Sequence, residues 1–86
     1  MATSLMMTLK KKFPEMPDEI AYLIAEVVDS IHWRQAECIE YIEYVGFKKI
    51  RPKVYRLYFE CDECNSRITV VYSSYHKKIY EIRFEE

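Results

Sequence analysis

Eighty-six residues, half of them hydrophobic and 31% charged, with a net charge of −1, describe one small α+β-sized domain. A chain this short buries only about 60–65% of its unfolded surface and has no material for a second core. The apolar content excludes a disordered tail, and the absence of an apolar run near 20 residues excludes a helical membrane span; the near-neutral charge excludes a global field that gathers nucleic acid or anionic lipid.

In residues 1–13, Lys10, Lys11 and Lys12 follow a weakly apolar stretch, the reverse of a secretory signal's order. This segment is expected to be flexible, and the setting cytoplasmic. Pro17 suits a first helical turn, with Asp18 and Glu19 at the positive end of the helix dipole. From there Ile20, Ile24, Val27 and Ile31 line one face, and Cys38, Ile42 and Val45 rejoin the same wheel. The phase predicts one long N-terminal helix over 17–45, about 43 Å in length, closed by Gly46 as the left-handed C′ residue. Two consecutive helices are the alternative, because Arg34 and Gln35 occupy the stripe and Ser30 is a competent cap.

After Gly46 the period becomes two. Tyr55, Leu57, Phe59 and Cys61 alternate with Arg56, Tyr58 and Glu60; Ile68, Val70 and Tyr72 alternate with Arg67, Thr69, Val71 and Ser73; Tyr80, Ile82 and Phe84 alternate with Ile79, Glu81 and Arg83. Connections around Asp62–Asn65 and Ser74–Lys77 are short enough for hairpins, and Phe47–Ile50 adds a short edge strand before Pro52. The expectation is an α+β fold: the long helix, or two consecutive helices, packed on a three- to four-stranded antiparallel β-meander. Strands of about eight residues reach roughly 26 Å, so the long helix overhangs its sheet. That mismatch predicts a homodimer, with Ile39, Tyr41 and Tyr44 as the interface candidates.

Cys61-Asp62-Glu63-Cys64 is the one chemical motif, and a closed zinc site needs two ligands more. Cys38, His32 and His76 are the candidates; His76 lies a full strand away from Cys64, about 20–25 Å. Zinc therefore has to recruit Cys38, His32 or a second subunit. The rival is a Cys61–Cys64 disulfide pinning the turn. Redox catalysis is disfavoured, because Glu60, Asp62 and Glu63 oppose a thiolate. No nucleophile and base share a supporting arrangement, and a single glycine allows no phosphate loop. No enzyme is expected, and no obligatory cofactor.

Charge is segregated: residues 1–45 carry a net −4 and residues 46–86 a net +3. Lys48, Lys49, Arg51, Lys53 and Arg56 form a run without an acid, interleaved with Tyr55 and Tyr58. Phosphate contacts from that run and stacking on Tyr58 make it the candidate nucleic-acid surface. The outward sheet face, with Arg56, Tyr58, Thr69, Val71, Ser73 and Arg83, is a candidate surface for a protein partner. One glutamine and one asparagine against eight lysines and eleven glutamates form a heat-adapted balance, and in composition the chain resembles small proteins of hyperthermophilic archaea and their viruses. The leading reading is a small non-enzymatic interaction or regulatory protein, homodimeric. Nucleic-acid binding through 48–56 and a zinc-knuckle or disulfide-stabilised protein are the alternatives.

Overall fold

The computed structural model describes residues 2–36 and 42–85. Two helices, α1 (Ala2–Lys12) and α2 (Asp18–Gln35), precede four strands, β1 (Glu43–Arg51), β2 (Val54–Glu60), β3 (Arg67–Ser73) and β4 (Lys78–Glu85). The strands pair antiparallel in the order β1-β2-β3-β4, and both helices lie on one face of the meander. The expected α+β architecture is therefore present, in its two-helix form.

Three elements differ from the sequence reading. Residues 2–12, in the segment expected to be flexible, form a helix, with Leu5 and Leu9 buried one turn apart on the face turned to the core. Pro14 ends α1, and Phe13 turns back to set its ring 5.3–6.3 Å from those of Phe47, Tyr55 and Tyr72. The corner to α2 is tied by Lys10, whose ammonium donates to the Met16 carbonyl at 2.6 Å and bridges Asp18 at 2.9 Å. Second, α2 ends at Gln35, not near Val45. Its 18 residues span about 27 Å, close to strands of seven to nine residues, so no overhang remains to call for a second chain. Third, Gly46 caps no helix: it sits in β1 at a bulge, with φ 157°, a conformation that side-chain-bearing residues rarely adopt.

The buried face of α2 is Ala21, Ile24, Ala25, Val28 and His32, with Ile20 and Ile31 packed at its margins. Alanines at 21 and 25 let the helix approach the sheet closely, which rotates the stripe away from the one drawn through the isoleucines alone. Below it the sheet contributes Leu57, Phe59, Ile68, Val70 and Tyr72, the inward set that the period of two predicts. In β4 the inward set is shifted at its start: a register irregularity opposite Val71/Tyr72 pairs Tyr72 with Ile79, so Ile79 packs on the core and Tyr80 is 41% exposed. Tyr44 of β1 belongs to the intramolecular core, edge-on to Phe59 at 5.6 Å, and its buried hydroxyl has no hydrogen-bond partner among the described residues. Burial raises the Tyr44 pKa above 10.0, and burial with the nearby Glu15 carboxylate raises that of Tyr72. No helix among the described residues is long and apolar enough to cross a membrane.

Candidate metal centre and basic pole

The turn between β2 and β3 is built to bring two sulfurs together. The Cys61 N–H donates to the Ser66 carbonyl at 3.0 Å, and the Asn65 N–H donates to the Cys61 carbonyl at 2.9 Å, closing residues 61–65 as one isolated helical turn. On such a turn side chains three apart share a side, so Cys61 and Cys64 face the same way. Asn65 provides the left-handed exit at φ 59°, which asparagine tolerates better than most residues.

The third member comes from the helix layer. His32 lies one turn beyond Val28 on the buried face of α2 and is 1% exposed, as is Cys61. A ring nitrogen of His32, Cys61 Sγ and Cys64 Sγ all lie within 4.8 Å of one another. Tetrahedral zinc, with bonds of about 2.3 Å to sulfur and about 2.0 Å to nitrogen, spaces its ligand atoms about 3.5–3.8 Å apart. A contraction of at most about 1.3 Å converts this cluster into three corners of that tetrahedron. Imidazole with two thiolates is a donor set that zinc favours over magnesium or calcium, which take oxygen.

Around the cluster, the Cys64 thiol donates to the Ser66 hydroxyl at 3.1 Å, and Ser66 is 2% exposed. Once that sulfur is a metal-bound thiolate, the same hydroxyl becomes its donor, the kind of supporting contact that orients a ligand. Cys61 and Cys64 are not joined as a disulfide. Cys38, Ile39 and Tyr41, singled out by the sequence, lie outside the described residues. His76 sits at the opposite end of β3, as its position in the meander demands.

No known protein family, curated protein or solved structure matches this chain. Its chemistry is read from its own residues.

The antiparallel pairing also sorts the charges of the sheet. Glu43 pairs with Glu60, Glu60 with Arg67, and Arg67 with Glu85, so the end of the sheet that holds Cys61 and Cys64 carries these acids together with Asp62 and Glu63. A cavity of about 420 Å³ there is lined by Glu60, Cys61, Asp62, Asn65, Arg67 and Glu85; Arg67 is bridged to Glu60 at 2.6 Å. At the other end the β1–β2 and β3–β4 turns present Arg51, Lys53, Lys77 and Lys78. A net charge of −1 thus conceals a sheet with an acidic and a basic pole.

The sequence's basic run is divided by this geometry. Lys48 and Arg56 are cross-strand partners on the open sheet face, followed by Tyr58 two residues on, against which the Arg67 guanidinium stacks at 5.6 Å. Lys49 pairs with Tyr55, whose ring is in the core, so Lys49 belongs to the helix-side face. Arg51 and Lys53 sit at the hairpin turn, beside Tyr75, His76 and Tyr80. The sequence reading weighs His76 only as a zinc ligand and sets Tyr80 on the inward side of its strand; the register of β4 turns Tyr80 outward.

Proposed function

We propose that this chain is a small non-enzymatic binding protein whose fold is fastened by one zinc ion, held by His32, Cys61 and Cys64. The reading is carried by one observation: three metal-competent ligands from two layers of the fold, His32 far in sequence from the cysteine pair, converge within 4.8 Å, with His32 and Cys61 buried and Cys64 half-buried. Zinc there joins the C-terminal turn of α2 to the β2–β3 turn, the kind of cross-link small domains use to supplement a limited core. A structural role for the ion requires a fourth ligand that closes the site, because three protein ligands and a water leave the open position of a catalytic one. Both thiols must lose protons on binding, so affinity falls as pH falls.

The chain stripped of metal and titrated with zinc is expected to take up one ion per molecule by native mass measurement. Cobalt(II) in its place should give the visible absorption of a tetrahedral thiolate site. His32→Ala and Cys64→Ser should each abolish both signals, and a chain that takes up no metal sinks the reading. Three protein ligands leave a fourth position, and Cys38→Ser reads it: an altered cobalt spectrum assigns it to the third cysteine, an unaltered one to water or a second chain.

A further inference from the structure

The basic pole is independent of the metal and has the parts of a different site. The β1–β2 and β3–β4 turns are joined side by side, with the Ser74 N–H donating to the Lys53 carbonyl at 2.8 Å and the Ser74 hydroxyl to the same oxygen at 3.2 Å. The His76 N–H donates to the Ser73 hydroxyl at 3.0 Å, fixing the second turn from within. Between the turns lies a cavity of about 380 Å³, whose lining includes Pro52, Lys53, Val54, Tyr75, His76 and Tyr80. That is within the range of small-ligand pockets, and its apolar and aromatic lining suits a flat heteroaromatic ring.

The aromatic groups are held as a rank. Tyr75 and His76 meet edge-on at 4.8 Å, and His76 lies 6.4 Å from Tyr80. Lys53 Nζ stands 5.6 Å from the Tyr75 ring and Lys78 Nζ 5.7 Å from the Tyr80 ring. Tyr75 is nevertheless 70% exposed, an amphipathic ring presented to water.

Charge supplies the second half. The segments 44–59 and 65–80 contain eight lysines and arginines and no acid. Among the described residues Arg67 and Arg83 are bridged to glutamates, whereas no carboxylate lies within ion-pair distance of Lys48, Arg51, Lys53 or Arg56. Those four cations lead from the cavity onto the open sheet face, where Arg56 and Tyr58 line one side of a second hollow of about 200 Å³ whose far side carries Glu81 and Glu85, the first of them bridged to Arg83. Glu15, beside Tyr72, and the paired Asp18 belong to the helix side of this end, away from the open face.

We propose that the basic pole binds single-stranded nucleic acid, seating one unpaired base against Tyr75 and Tyr80 with the flanking phosphates on Arg51, Lys53, Arg56 and Lys48. Exposed rings at a pocket mouth require a base with a free face, which a duplex keeps stacked, so an unpaired strand fits and a double helix does not. The unpaired cations account for the phosphates.

Fluorescence anisotropy of the full chain with a labelled twelve-nucleotide pyrimidine strand, as DNA and as RNA, tests this across 50–200 mM salt. Four phosphate contacts predict that log K falls with log salt at a slope of about −3. Tyr75→Ala should weaken binding by about 5- to 150-fold, the range for loss of one stacked base, with the salt slope unchanged. Lys53→Gln should reduce the slope by about 0.7. Both positions are exposed turns, and circular dichroism checks that the variants fold. No binding at 50 mM salt, preference for the matching duplex, equal affinity for a free mononucleotide, or insensitivity to Tyr75→Ala each overturns the proposal. Repeating the titration with Cys64→Ser separates it from the metal reading: retained strand binding in a chain that takes up no zinc supports the inference by itself.

Discussion

Zinc linked to folding makes a quantitative prediction. A ligand that binds the folded chain alone stabilises it by RT ln(1 + [L]/Kd), about 4.1 kcal/mol when free metal is a thousand times Kd. For a domain of 60–100 residues each kcal/mol moves Tm by about 4–8 °C, so the full effect is on the order of 16–32 °C. The unfolded chain keeps Cys61 and Cys64 three residues apart and retains some metal affinity, which makes this an upper bound. His32, brought in from α2 only by folding, is what the unfolded state lacks. Thermal unfolding followed by circular dichroism, with EDTA and then with buffered free zinc over three decades, should show Tm rising with the logarithm of zinc by at least about 10 °C. Cys64→Ser, at a partly exposed position, should lose the zinc response while its EDTA Tm stays near that of the parent. His32→Ala should lose the response too, and also lower the EDTA Tm, because it empties a fully buried position. A Tm unmoved by saturating zinc refutes the cross-link, even if metal is found bound elsewhere.

Three further outcomes follow from the fold. Leu9→Ala deletes a side chain of 0% exposure and should cost about 3 kcal/mol, a fall in Tm on the order of 12–24 °C; a shift below about 3 °C in thermal unfolding would mean that α1 is not docked. Tyr44→Phe removes a buried hydroxyl that has no hydrogen-bond partner among the described residues, and should raise stability by about 1 kcal/mol in urea unfolding. Tyr44 and Tyr72 both have pKa values raised above 10.0. The unfolded chain therefore gives up these protons first, so their contribution is complete below pH 10 and declines as pH rises through that value. Urea titrations from pH 9 to 11 should show this decline, and Tyr44→Phe should make it shallower.

What the sequence makes legible here is its regular part. The period of two in 55–61 gives the inward face of β2 residue by residue, because a strand buried on one face must alternate; in β3 it gives the inward set Ile68, Val70 and Tyr72, but Thr69, Val71 and Ser73, read as the outward face, are buried as well. The same logic fails where a coincidence of period imitates a helix: Ile42 and Val45 extend the wheel of α2 although Glu43–Arg51 is a strand. Leu5 and Leu9 stand among threonine, methionine and lysine, too few apolar positions to announce α1 without the sheet that buries them. The CxxC pair is visible as a motif and His32 as one of three candidate partners, but His32 is singled out only when Ala21, Ala25 and Val28 are recognised as the buried stripe that it continues. Tyr80 shows the reason most sharply. Strict alternation assigns it to the core with Ile82 and Phe84, and one irregularity opposite Tyr72 exchanges it with Ile79, turning a core residue into the wall of a cavity. Both candidate sites thus use positions where a local period breaks or where a second layer decides the environment, and departures from local consistency are where function is expected to concentrate.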